Sequence, residues 1–267
     1  MAAFFAPAPS APGSATGPTA TATGGAVAAV ADSTPVPTST TPDPPAPPQY
    51  PWHTSIASTS FWVGQVINGA SDGSQVFSTY DPQWETNYGG CDGVVTGGRC
   101  QAEPRTAANG FFPTAMTPQQ NPFYLDLPFD DVHNKTARAE RERVIPWAHD
   151  PRYADQLADG SLMKNHWVEL SKDGHTCFGQ IEDAGPTVYS DAHYVFGTHD
   201  ERPANKKINN AGLDVSPALN ACLAFTHGYN SDEDRVNWRF VDETTVPPGP
   251  WTRIVTTNPA VRSASTG

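Results

Sequence analysis

Residues 209–223 read NNAGLDVSPALNACL. Leu213 to Val215 has the texture of a short buried strand. Ser216 and Pro217 follow, the residue types that favour a helix N-cap and a first helical position. A helix is expected over about 217–224. Asp214 breaks the pattern. An ionised carboxylate between Leu213 and Val215 is costly unless it is paired or hydrogen-bonded. Either Asp214 is a local acceptor at the start of the helix, or it stands there to do chemistry.

Working outward, the chain reads as many short strands with few helices, which suggests a β-barrel. SFWVGQVI (60–67) and SQVFSTYD (74–81) read as strands with Asn-Gly and Asp-Gly turns between them. NYGGCDGVVTGGRC (87–100) is a glycine-punctuated loop, and NPFYLDLPFDD (121–131) a short strand bounded by prolines. NKTARAERERVIPWA (134–148) is helix-like and ends at Pro146. The clearest hairpin joins Trp167–Leu170 to Thr176–Ile181 across Lys-Asp-Gly. DRVNWRFVD (234–242) is a late strand, and WTRIVTT (251–257) is read as a last edge strand. An insertion is expected around 126–165. No internal repeat is visible.

The first 50 residues are a different material. They hold 11 of the 27 prolines, neither Lys nor Arg, and two Asp. Such Pro/Thr/Ala/Ser tracts cannot bury a core, so residues 1–52 are expected to be a disordered stalk and 53–267 the folded domain. Beyond residue 50 stand 16 basic and 28 − 2 = 26 acidic residues, a net of −10. So acidic a chain is a poor partner for nucleic acid, whose binding rests on phosphate neutralisation. No apolar run is long enough to cross a bilayer, so no membrane insertion is expected. A neutral polysaccharide suits the charge better. MAAFFA lacks the basic start of a signal peptide, although the stalk composition points to a secreted or cell-wall protein.

Four cysteines, Cys91, Cys100, Cys177 and Cys222, form no CxxC pair. With a secreted-type stalk their even number suggests two disulfides. Cys91 with Cys100 would close the Gly-rich loop, and Cys177 with Cys222 would tie a strand to a helix. His175 and Cys177 share a strand face, but a disulfide would remove the thiolate that a nucleophile needs. His193 and His199 stand among acids without tight ligand spacing, so no metal is expected, nor any other cofactor.

Two acidic sites share a form, a strand ending in Asp before a turn with Pro: Asp183 in GQIEDAGP and Asp214 in GLDVSPAL. A third is Asp81 in FSTYDPQW. At these residues the chain resembles the double-psi β-barrel superfamily, which holds expansins, small single-barrel endoglucanases and rare lipoprotein A-type lytic transglycosylases. STYDP…NYGGCDG is similar to the family's Thr-x-Tyr strand and Gly-Gly-x-Cys-Gly loop. IEDAGP is similar to Asn-Asp-Arg-Gly-Pro of the lipoprotein A group, LDVSPAL to Asp-Leu-Ser before a short helix, and VNWRFV to the closing strand. The matches run in order over about 75–241. Glu182-Asp183-Ala184 departs from Asn-Asp-Arg, and the His that expansins place before Asp-Leu-Ser is missing.

The resemblance implies a six-stranded double-psi β-barrel with helical and loop insertions. It implies a groove where Asp214 is the general acid and Asp81 the base, with Asp183 a third catalytic candidate. Tyr80, Trp84, Trp147 and Tyr194 are candidate sugar-stacking residues, with Trp62 beside them. The expected function is cleavage of a cell-wall glycan, a β-glucan or peptidoglycan strands, by a monomer. The alternatives are an expansin-like protein that loosens or binds the wall without cleavage, and a protein-binding or inhibitor barrel. Each candidate also has a plainer reading: Asp81 and Asp183 as turn residues, the aromatics as core.

Overall fold

The closest-knit part of the chain is the hairpin at Lys172-Asp173-Gly174. Asp173 and Gly174 have φ of 48° and 85°, the left-handed pair that a two-residue hairpin turn needs. In the computed structural model, residues 47–66 and 76–259 are described. The expected stalk lies outside them as far as residue 46.

Eight strands appear among the described residues. They are β1 (His53–Ser60), β2 (Val94–Thr96), β3 (Arg99–Gln101), β4 (Tyr124–Leu127), β5 (Trp167–Lys172), β6 (His175–Ala184), β7 (Leu213–Val215) and β8 (Arg235–Val241). Six close into a barrel in the order β1-β7-β4-β6-β5-β8, and β8 returns to β1. β1/β7 and β4/β6 are parallel and the other pairs antiparallel. The chain is thus mainly β, with a closed six-stranded mixed barrel and short helices. Closure removes the edges that an open sheet would expose.

The helices follow their capping signals. α1 (Trp84–Tyr88) lies before the Gly-rich loop. α2 (Lys135–Val144) starts at Asn134, whose side chain accepts from the Thr136 and Ala137 amides. α3 (Ala154–Asp159) completes the excursion between β4 and β5. α4 (Ala192–Val195) follows β6. α5 (Pro217–Cys222) is capped by the Ser216 hydroxyl, which accepts from the Leu219 N–H at 3.2 Å. Inside the barrel Ile56, Leu125, Val168, Leu170, Ile181, Leu213, Val215, Val236 and Trp238 form one buried cluster. Cys177–Cys222 ties β6 to α5, and Cys91–Cys100 closes the loop that carries β2 and β3.

Several expectations are corrected. The first strand is His53–Ser60, upstream of the 60–67 stretch. Residues 61–66 leave the barrel sheet after the Phe61 N–H to Val215 O bond at 3.2 Å, and Gln65 forms an isolated bridge to Cys100 of β3. Residues 78–81 of the second expected strand form a turn, closed by the Ser78 N–H to Asp81 O bond at 2.9 Å; positions 74 and 75 lie outside the described residues. The glycine loop contains the β2–β3 hairpin. Residues 251–257 form no strand; a 3-10 turn spans Pro250–Thr252. Packing also begins before residue 53. The Tyr50 ring meets Trp147 and Phe240 edge-on, and Arg239 lies 4.6 Å over the Trp52 ring.

Candidate functional site

Asp214 sits at the centre of β7, flanked by Leu213 and Val215, both fully buried. Burying two such side chains contributes about 3–6 kcal/mol, enough to hold a carboxyl that would otherwise stay in water. β7 lies between β1 and β4, and register decides its neighbours. Thr59 of β1 and Asp126 of β4 are both opposite Asp214. The Thr59 hydroxyl donates to the Asp214 carboxylate. The Asp214 N–H donates to Asp126 Oδ1 at 2.8 Å, which brings the two carboxyls together.

On the other side of β4 a bulge sets the third member. Leu125 pairs with Ile181, but the next residue, Asp126, pairs with Asp183, so Glu182 is the extra residue. A bulge re-aims the side chains that follow it. Here it brings Asp183 beside Asp126 and sends Glu182 to Lys164, 2.5 Å away. Asp126, Asp183 and Asp214 thus lie side by side across three neighbouring strands.

Their surroundings keep protons on them. Burial is the largest cause for all three; like charge comes next at Asp126, whereas hydrogen bonds that oppose the rise come next at Asp214 and Asp183. Asp126, buried between the other two, is pushed well above the ordinary range by burial, then by Asp214 and Asp183. Asp214 is pushed up to about 6 by burial, against the Thr59 hydrogen bond, with Asp183 adding to the rise. Asp183 is pushed up to about 6 by burial. The Thr79 and Ala184 N–H groups, at 2.7 and 2.8 Å, hold it back from going higher. Standing opposite each other in register, with both values raised, Asp126 and Asp214 titrate as a pair rather than independently. None of the three has an ion-pair partner among the described residues.

Asp214 is partly exposed, while Asp126 and Asp183 are buried. Asp214 is therefore the most accessible member of the row. Tyr189 stands at the rim, 46% exposed, and its phenol is raised by burial and then by all three carboxylates. Gly185 is required here, because a Cβ at that position would stand 2.4 Å from Asp126 Oδ2.

The other sequence candidates lie elsewhere. Asp81 is buried, and its carboxylate accepts from the Gln83 N–H at 2.9 Å. The Asn87 side chain (2.8 and 3.0 Å) and the Asn258 side chain (3.1 Å) also donate to it. These contacts hold the entry to α1 and the C-terminal segment. The stretch containing Asp81 reaches the acidic cluster through Thr79. The four proposed stacking residues are closed into the core. Tyr80 donates to Phe129 O at 2.9 Å, and Trp84 packs against Phe61 and Tyr124. Tyr194 accepts from Trp238 Nε1 at 2.8 Å, and Trp147 stacks on His166 with centroids 3.5 Å apart. None of these four rings keeps an open face for a sugar. Cys177 is bonded to Cys222, which removes it as a nucleophile.

Asp126 is the member that sequence reading missed. Its signal was present: in FYLDLPF it interrupts an apolar run between two leucines, as Asp214 does. The sequence matches no family model, and no curated protein or solved structure matches it either.

Proposed function

We propose that this chain cleaves a cell-wall glycan by carboxylate acid–base catalysis. The observation that carries the reading is the row Asp214–Asp126–Asp183, three carboxyls on adjacent strands with no cation to balance them among the described residues. Perturbed carboxyls at a partly open site are a mark of function. Asp214, the accessible member, gives its proton to the glycosidic oxygen as the bond to the anomeric carbon breaks. Asp126 hands Asp214 that proton. Asp183, ionised above about pH 6, stabilises the positive charge that grows on the sugar ring. Water then attacks the anomeric carbon, or the sugar's own hydroxyl closes on it to give an anhydro end; in either case the proton lost by the attacking oxygen returns to the Asp214 carboxylate. Tyr189 offers the open ring beside the cluster.

The closed six-stranded barrel and its two disulfides are compatible with a double-psi barrel, and membership of that superfamily is part of this proposal. Two disulfides fit an oxidising compartment, and export to the wall belongs to the same reading. A second reading, non-hydrolytic binding as in expansins, is favoured by one observation: the Asp81 carboxylate is already held by its neighbours, so the expected paired base is not free.

The test is incubation with cellulose, mixed-linkage glucan, chitin and peptidoglycan, with mass spectrometry of the products. Cleavage gives new ends from at least one polymer, and hydrolysed ends are one water heavier than anhydro ends. No product above that of Asp214→Asn on any of the four would overturn cleavage and leave binding.

A further inference from the structure

We propose that the groove at Asp214 continues into a subsite around Arg99 that binds a carboxylate, so that the saccharide this protein takes is an acidic one. The proposal rests on the reading of Asp214 as a glycan site.

Thr59, which donates to Asp214, lines a cleft of about 340 Å³ together with Ser60, Ile208 and the loop Tyr229–Asp232. Tyr229 and Asn230 also line the next cleft, of about 480 Å³, with Trp62, Gln65, Arg99 and Gln101. One loop therefore walls both clefts, as an extended polymer site requires.

The chemistry of the second cleft is specific. Among the described residues Arg99 is the one charged side chain that lines it. It is exposed, and among the described residues its guanidinium makes no ion pair or hydrogen bond. Arginines elsewhere are committed: Arg105 to Asp92, Arg152 to Asp150 and Asp242, Arg202 to Asp200, Arg239 to Glu169. A free guanidinium in a cleft matches the fork of a carboxylate. The side-chain amides of Gln101 and Asn230 likewise make no hydrogen bond among the described residues, leaving donors and acceptors for hydroxyls. Trp62 and Tyr229, with ring centroids 6.2 Å apart, give the apolar floor that a sugar ring needs.

The cleft is built in advance. Arg99 and Gln101 flank Cys100, which is locked to Cys91. Trp62 Nε1 donates to Cys100 O at 3.2 Å, and the Tyr229 hydroxyl to Glu103 O at 2.8 Å. A rigid site loses less ordering entropy on binding. The chain's net charge of −12 repels anions at long range, but salt screens this beyond roughly 8 Å. Recognition is then decided at the Arg99 contact.

A carboxylate on a saccharide comes from a uronic acid or from a lactyl or peptide acid on an amino sugar. Calorimetry on full-length Asp214→Asn separates these sources. Its ligands are an oligogalacturonate, a peptidoglycan glycan fragment and a cello-oligosaccharide of equal length. One acidic ligand binds at least about 10-fold more tightly than the neutral one, and identifies the source. Adding Arg99→Gln removes this excess and leaves the neutral ligand unchanged, as expected for loss of one charge-assisted hydrogen bond. Arg99→Lys restores part of it. Equal binding of acidic and neutral ligands, or a preference that survives Arg99→Gln, overturns the proposal. The outcomes are separable: cleavage by the native chain without an acidic preference sinks the Arg99 subsite alone. An acidic preference without cleavage sinks only the catalytic reading.

Discussion

Two buried polar clusters in this barrel invite comparison. Around Asp92 the charges balance. Its carboxylate accepts from the Tyr88 and Tyr124 hydroxyls, both at 2.7 Å, and from Arg105 at 2.8 Å, with both ionic side chains fully buried. Around Asp126 they do not: three carboxyls face one another, and the compensation comes from protons, hydroxyls and N–H groups. A buried charge that loses its partner costs several kcal/mol, so the Asp92 cluster is an anchor for the loop after α1. The acidic row keeps its carboxyls only by holding protons that it can give away. The difference teaches where to look for chemistry: among charges that remain unbalanced.

The comparison can be broken by exchanging the expected effects. The largest lies in the balanced cluster. Asp92→Asn strands Arg105 in the interior, and the unfolding free energy falls by about 3–5 kcal/mol in denaturant titration, while activity per folded molecule persists. A loss below about 1 kcal/mol means that Arg105 finds another partner. In the acidic row the pattern reverses. Asp214→Asn leaves the melting temperature unchanged or higher, since one of three like charges is gone, and lowers glycan cleavage by about 10²-fold or more. Melting of Asp214→Asn with no activity to lose would make Asp214 a structural acceptor instead.

The smallest effect sharpens the proton argument. Asp126 has a raised folded value, so its stabilising contribution is complete below the unfolded value of about 4 and fades as pH rises through the folded one. Asp126→Asn has no such term. The stability difference should therefore move in the variant's favour from pH 5 to 8, by up to about 1.4 kcal/mol per pH unit. A difference independent of pH contradicts a proton held on Asp126. Comparing the two proteins cancels the opposing contribution of His53 and His166. Burial lowers both, to about 4 and about 3, so they destabilise the fold as pH falls below about 6.5.

Much of the barrel was legible because its signals are local. The hairpin 167–184 follows from Asp173-Gly174, α5 from Ser216-Pro217, and both disulfide pairings from spacing and compartment. β1 was misplaced for a physical reason. HTSIASTS is small and polar, and it becomes a strand by pairing with β7 and β8, each more than 150 residues away along most of its length. At the site, Asp214 and Asp183 were legible as carboxyls ending short apolar runs. Asp126 carried the same mark but was read as part of an ordinary strand. Its importance depends on register, above all on the Glu182 bulge, and register is a long-range property. Asp81 resembled a base by its motif. Its donors Asn87 and Asn258 lie 6 and 177 residues away, and the second of these could not be anticipated.

The most direct test needs no substrate. Carbon-13 NMR of the aspartate side-chain carboxyls follows each group's titration in the native chain. Asp183 and Asp214 are predicted to titrate at about 6, and Asp126 well above the ordinary carboxyl range. Asp214→Asn should remove one of these steps and lower the Asp126 value by removing its neighbour's charge. Ordinary titration of all three carboxyls near pH 4 would contradict the account, because no member of the row would then hold a proton for the glycosidic oxygen.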